Sequence, residues 1–168
     1  MDEQTVEIAP LGAADLPGVN AVVESAVMGW NLPERVKRLS LPSYRYQATD
    51  LVHQEGCVAR ADGTVVGVAV WEPAADEGGV GTGPVFLLHG LYVAPAWQRR
   101  GLGARLLRAA RHAVCAAGAA GLLVRAQADA VPFFRAMGWQ ELPVQDEGRD
   151  YPHRFFLACA TGETGEDP

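Results

Sequence analysis

Residues 84–94, P-V-F-L-L-H-G-L-Y-V-A, are apolar almost without interruption, and Pro95 closes the run. A strand that shows apolar side chains to both faces must be covered on both, so this one belongs in the centre of a sheet. That demand shapes the rest of the chain, which must supply neighbouring strands and covering helices. At 168 residues it is long enough for one domain with a real core.

The flanking patterns meet the demand. Thr5 to Ala9 alternates and reads as a first strand. Ala13 to Met28 carries Leu16, Val19, Val22, Val23 and Val27 on one helical face. Asn31-Leu32-Pro33 breaks that helix; Pro33 opens a second one to about Leu39, and Pro42 ends the region. Cys57 to Arg60 and Val65 to Trp71 flank Ala61-Asp62-Gly63, which predicts a hairpin with an Asp-Gly turn. Leu51 to Gln54 fits no single element. Residues 73–83, rich in glycine and acid, read as a flexible loop. Leu122 to Gln127, Trp139 to Leu142 and His153 to Ala160 read as further strands, and Thr161 to Pro168 as a disordered tail. No internal repeat or second domain is visible, so residues 1–160 are expected to form a single domain.

After the central run comes Gln98-Arg99-Arg100-Gly101-Leu102-Gly103-Ala104, and then a helix with Leu102, Leu106, Ala110, Ala113, Val114 and Ala117 at helical spacing. The first turn of a helix leaves its amides without internal partners, and the helix dipole favours an anion there. Gly101 and Gly103 carry no Cβ, so a phosphate can approach the backbone, and Arg99 and Arg100 add forked, permanent charge. This points to a phosphate-bearing ligand. It is not a P-loop, because the single lysine, Lys37, lies far away. Nor is it a dinucleotide fingerprint, because Gly101 stands too far from the strand end and Leu106 occupies the third glycine position. Arg105, Arg108, Arg111 and His112 read as the helix's solvated face.

Strand, V-x-P, Q-R-R-G-L-G-A and helix together resemble the coenzyme A loop of the GNAT superfamily of N-acetyltransferases, with Gln98, Gly101 and Gly103 on the motif positions. A second block, Ala130-Val131-Pro132-Phe133-Phe134-Arg135-Ala136-Met137-Gly138-Trp139, is similar to that family's later A-x-x-F-Y-x-x-x-G-F segment. The resemblance implies an α+β fold: a central, mixed, mostly antiparallel sheet of six to seven strands flanked by about four helices. It implies acetyl-CoA as the acyl donor. Backbone groups of Leu91, Tyr92 and Val93 would contact the acetyl and pantetheine arm. Amides from Gln98 to Ala104 (Gln98, Arg99, Arg100, Gly101, Leu102, Gly103, Ala104) would hold the pyrophosphate. Gln127 and Phe133 would flank the thiol end. Residues from about Trp30 to Tyr46 would cover the acceptor, with Trp30 and Arg35 as candidate substrate contacts. The family often has a tyrosine where this chain has Phe134, and that tyrosine protonates the leaving thiolate. With a thiol pKa of about 8.5, a thiolate leaves tolerably without it.

Attack by an amine needs a base and a stabilised carbonyl oxygen. Glu72 and His89 are the base candidates. His89 is either poised near neutral pH or a hydrogen-bonded core histidine, and Glu72 is either the base or merely the start of the loop. Tyr92 is the candidate acid, or a packing residue between sheet and helix. The expected activity is acetyl transfer to a primary amine of a small molecule or peptide. The alternative is an acyl-CoA-binding module with regulatory or vestigial function. A third reading is a small α/β domain whose glycine loop is only a tight turn.

Composition bounds the partners. A net charge of −6 argues against general nucleic-acid binding. Ala113 to Val124 is too short to span a membrane, and the acidic N-terminus has no signal-like apolar core, so a cytoplasmic location is expected. Cys57, Cys115 and Cys159 lack C-x-x-C spacing and lie in apolar segments, so all three are expected as buried free thiols, with no metal. Exposed edge strands near the C-terminus would suit a homodimer.

Overall fold

Apolar periodicity in the first helix decides how the N-terminal part is built. In the computed structural model, which describes residues 4–74, 83–148 and 150–159, α1 (Leu16–Met28) follows a single 3-10 turn and has Pro17 in its first turn, where a missing N–H costs nothing. Its Val19, Val23 and Val27 are fully buried. They pack with Val58, Val68 and Val70 of two strands and with Leu41, Tyr46 and Tyr92. Those strands are β2 (Glu55–Ala61) and β3 (Thr64–Pro73). The turn between them is the expected one: Asp62 and Gly63 both have positive φ, at 49° and 77°, as a two-residue hairpin turn of this twist requires. β1 (Val6–Pro10) pairs antiparallel with β2.

Pro42 does not end the second helix. α2 (Glu34–Tyr44) carries it inside. Pro42 is exposed, so the backbone carbonyl it cannot serve faces water, while Leu41 one residue earlier is buried and holds the turn on the core.

Among the described residues the sheet has seven strands, in the order β1-β2-β3-β4-β5-β7-β6. β4 (Val85–Val93) pairs parallel with β5 (Gly121–Arg125). β7 (Arg154–Ala158) pairs antiparallel with both β5 and β6 (Gln140–Leu142). With α3 (Leu102–Ala116) and α4 (Val131–Ala136), this is the mixed, mostly antiparallel α+β architecture expected. β4 carries a bulge. Ala74 N–H donates to Val85 O and Ala94 N–H to Val66 O, both at 2.9 Å. Between those bonds β3 spends one residue fewer than β4, so one β4 residue falls out of the ladder.

The chain forms two compact units. The first, residues 1–70 with 90–110, holds the core around α1 described above. Asp15 and Arg60 form an ion pair at 2.5 Å within it, and the Gly12 amide donates to the Asp15 carboxylate at 2.9 Å. Burial acts to raise the Asp15 pKa, but the Arg60 hydrogen bond, the Gly12 amide and the Arg60 charge outweigh it and leave the carboxyl below its ordinary value. A depressed carboxylate stabilises the fold above the ordinary carboxylate range, and loses that contribution as pH falls through the depressed value. Asp15→Asn is therefore expected to lower the urea midpoint at neutral pH, and the gap to wild type to close on acidification. A gap that does not change with pH would refute this.

The second unit is residues 71–89 with 111–168. Val85, Leu123 and Phe156 form one of its clusters. Phe134, Trp139 and Phe155 form another, with ring centroids 5.1 and 5.6 Å from Phe134. Here the cysteine expectation fails in part. Cys115, in the last turn of α3, is disulfide-bonded to Cys159, just beyond β7, with Cα atoms 5.6 Å apart. Their distance in sequence concealed a pairing that the helix and strand ends create. Cys57 alone is the buried free thiol expected. Most of the acidic glycine loop and the tail from Thr161 lie outside the described residues. Among the described residues, no helix is long and apolar enough to cross a membrane.

Candidate functional site

In the first unit, the end of β4 leads into α3 through a loop built by its own side chains. Trp97 N–H and Gln98 N–H close a 3-10 turn on Ala94 and Pro95 carbonyls. The Gln98 side-chain amide reaches back to Val93 O at 3.1 Å. Gln98 thus ties the loop to the strand, and its own amide is already spent. Arg99 sits at φ 61° and Gly101 at φ 77°. A non-glycine residue in that region costs on the order of 1–3 kcal/mol and persists where surroundings impose it. The two left-handed residues turn the chain sharply into the helix. The Arg100 guanidinium lies over the Trp97 ring, 4.9 Å from its centroid.

The first backward bond of α3 runs from Arg105 N–H to Gly101 O at 3.2 Å. The amides of Leu102, Gly103 and Ala104 lie ahead of it, in the part of a helix that has no acceptor of its own. A Cβ built on Gly101 would meet nothing within 4 Å. Gln98, Arg99, Arg100 and Gly101 are exposed, whereas the Leu102 side chain is buried in the core. An open, cationic turn that leads into helix amides without helix partners has the chemistry to hold an anion. Of the four helix residues expected to be solvated, Arg105, Arg108 and His112 are exposed and Arg111 is half-buried.

Leu91 and Val93 are half-buried on β4, and Tyr92 is buried. Burial, with a contribution from Tyr44, pushes the Tyr92 phenol up to about 12. Gly90 leaves room for the Tyr46 hydroxyl and the Tyr92 ring, which a Cβ would strike. Trp30 is half-buried and meets Tyr44 edge to face at 5.2 Å. Arg35 stands exposed on α2. Two residues to which the sequence pattern assigned no role hold this region. Asn20 clamps Tyr46 through both its backbone N–H and its carbonyl, each at 2.8 Å. The buried Lys37 donates to Met28 O at 2.7 Å and pairs with Glu34 at 2.8 Å, joining the end of α1 to the start of α2. A lone lysine in an arginine-rich chain was the one available signal for it.

The second unit carries the other predicted residues. Glu72 is half-buried near the end of β3. His89 is exposed on β4, so it is no core histidine, and β4 is not buried throughout as its sequence implied. Gln127 is exposed just before α4, and Phe133 is half-buried on that helix. Phe134 is only 4% exposed and sits inside the aromatic cluster. No group of three His, Cys, Asp or Glu among the described residues is placed to hold a metal.

Residues 53–141 match the sequence model of the family described as acetyltransferase (GNAT) domain. No curated protein matches the chain by sequence. Among solved structures, PaiA N-acetyltransferase from Thermoplasma acidophilum in complex with coenzyme A is similar, with a TM-score of 0.73 at 16% identity over 92% of this chain and 99% of that one. A GNAT family acetyltransferase from Brucella melitensis in complex with acetyl-CoA gives 0.63 at 19% identity, over 95% and 91%. The ribosomal-protein-S18-alanine N-acetyltransferase from Escherichia coli gives 0.63 at 18%, over 97% and 100%. At these identities the likeness carries the fold.

Proposed function

Because this chain belongs to the GNAT acetyltransferase family, we propose that it transfers an acetyl group from acetyl-CoA to a primary amine of a small molecule or peptide, by direct attack in a ternary complex. The observation that carries the reading is the left-handed pair Arg99 and Gly101, which opens α3 with its first amides free and clear space at Gly101. That cradle suits a pyrophosphate. Two of the similar structures were determined with coenzyme A or acetyl-CoA bound.

Acetyl-CoA supplies an acetyl group activated as a thioester. The amides of Leu102, Gly103 and Ala104 bind the pyrophosphate, and Arg99 and Arg100 add charge. Backbone groups of Leu91, Tyr92 and Val93 orient the arm, and an N–H at Tyr92 or Val93 stabilises the negative charge that develops on the carbonyl oxygen. Gln127 and Phe133 flank the thiol end. Glu72 or His89 takes the amine's proton. Tyr92, whose phenol burial pushes up to about 12, holds its proton through the neutral range and is the candidate to pass it to the departing thiolate. Trp30 and Arg35 belong to the acceptor side.

Calorimetric titration with acetyl-CoA tests the cradle. Gly103→Asp places a carboxylate in the first turn, where it suits the helix dipole yet repels phosphate, so lost binding is not lost folding. We expect wild-type binding in the micromolar range, weakened about a hundredfold by the variant, or roughly 2.7 kcal/mol. No binding by the wild type would overturn the reading. With an amine substrate in hand, Glu72→Gln or His89→Ala is expected to lower kcat by about 10²–10⁴ while leaving coenzyme affinity intact. If neither variant does so, no base acts from these positions.

Phe134 favours a second reading. It puts an aromatic ring, with no hydroxyl, where a proton donor is often found, and it lies buried against Trp139 and Phe155. A coenzyme-binding module without turnover fits that site. Binding with no acetyl transfer across a broad amine panel would select it.

A further inference from the structure

Tyr46 is held more firmly than its place in a connecting segment requires. It lies between α2 and β2, where backbone groups commonly face water. Instead Asn20 of α1 grips it twice. The Asn20 amide donates to the Tyr46 carbonyl, and the Asn20 side-chain oxygen accepts from the Tyr46 N–H, each at 2.8 Å. The next residue is tied down as well: the Gln47 N–H donates to the Asp50 carboxylate at 2.7 Å. A backbone fixed at both polar groups aims its side chain. That of Tyr46 enters the core of the first unit, beside Val68, Val70 and Tyr92. It closes the stretch expected to cover the acceptor, yet at 3% exposed it offers a ligand almost no surface. Any effect it has on chemistry must pass through what it touches.

It touches β4 at Gly90. A Cβ built there would strike the Tyr46 hydroxyl and would lie 2.7 Å from Cε2 of Tyr92. The two tyrosines therefore share the space that a side chain at position 90 would need. Tyr92 stands two residues further on, on the same side of the strand, and its ring folds back over the bare Gly90 backbone. Gly90 is the floor of this arrangement, and the Tyr46 hydroxyl is its side wall.

We propose that Tyr46 is a positioning residue for Tyr92: gripped by Asn20, it keeps the Tyr92 ring folded onto Gly90 and so fixes where the phenol hydroxyl stands. The inference rests on the transferase reading, in which Tyr92 passes its proton to the departing thiolate. That step breaks the phenol O–H bond and forms an S–H bond on coenzyme A. The phenolate regains a proton from water, and water receives the amine's proton from the base. A proton passes only within hydrogen-bond reach, about 2.6–3.2 Å between heavy atoms. A ring with a second rotamer open to it spends part of its time out of that reach.

The test is a double-mutant cycle on the full chain: wild type, Y46F, Y92F and Y46F/Y92F. Acetyl-CoA is the donor and hydroxylamine the acceptor, a small amine that needs no shaped pocket. Release of the coenzyme A thiol is followed, with the rate in the absence of protein subtracted. Calorimetric titration with acetyl-CoA gives affinity and checks that each variant is folded. We expect Y92F to lower kcat about a hundredfold. Y46F should lower it about tenfold with acetyl-CoA affinity unchanged, and the double variant should match Y92F. A residue that only fills the core would cost the same in both backgrounds; one that acts through the Tyr92 phenol has nothing left to lose once that phenol is gone. N20A frees Tyr46 without altering either ring and should reproduce Y46F; if it does not fold, the Y46F cycle decides alone. A Y46F rate equal to wild type, or an equal loss from Y46F with and without the Tyr92 phenol, would overturn the inference. So would a wild type that binds acetyl-CoA but does not accelerate the reaction, and each of these results leaves the coenzyme reading standing. Failure of the wild type to bind acetyl-CoA would instead strike the transferase reading, and this inference with it.

Discussion

Reducing the Cys115–Cys159 bond is expected to cost the fold roughly 4 kcal/mol and to lower the melting midpoint by about 10 °C. The bond joins residues 44 apart in sequence. Its effect lies mainly in the unfolded chain, whose freedom it restricts, so opening it raises the entropy gained on unfolding. Urea titrations of oxidised and reduced protein, with C115S/C159S in both buffers, measure it. The double variant should match reduced wild type and ignore reductant. Equal midpoints for oxidised and reduced wild type would refute the prediction. Thiol counting gives a second readout. Burial pushes the Cys57 thiol up to about 11, so the native oxidised protein should resist a thiol reagent at neutral pH. The unfolded, unreduced chain should expose the one free cysteine.

Phe155→Ala should cost about 3–5 kcal/mol, the range for emptying a buried aromatic site. Phe155 is fully buried, stacks on Phe134 at 5.6 Å, and stands opposite Val124 and Glu141 in the two strands beside it. No side chain lies free to swing into the space, since the neighbouring rings are held by the same cluster. Phe155→Leu keeps more of the volume, so stability should rank wild type, then Leu, then Ala. Urea midpoints at constant m-value would establish the order. A loss below about 1 kcal/mol for the alanine variant would mean the site collapses, contrary to the close packing described here.

Much of the cradle was legible because it rests on local rules. A strand, a proline stop, a short polar turn and two glycines before an apolar helix determine where the amides point, whatever surrounds them. The Asp62-Gly63 hairpin was legible for the same reason: few sequences tolerate two successive positive φ angles. The base candidates were legible only as residue types, since a strand pattern does not say where its register slips. β4 carries its bulge between Val85 and Ala94, and from Leu88 onward its burial alternates, so His89 falls on the more open face with Leu91 and Val93, against the uniform burial that the apolar run implied.

Taken alone, the sequence determined most of the elements, their approximate limits, the glycine turn that opens α3 and the family. These depend on contacts between residues close in the chain, and on patterns of period two or three to four. Tertiary structure alone decided three matters. Pro42 stays inside α2 because the packing of Leu41 outweighs an exposed lost hydrogen bond. Cys115 and Cys159 pair because α3 and β7 end side by side. Lys37 and Asn20 hold α2 and Tyr46 because their partners are backbone atoms that any residue could supply. In each case the deciding energy comes from atoms far apart along the chain, whose approach no local pattern encodes.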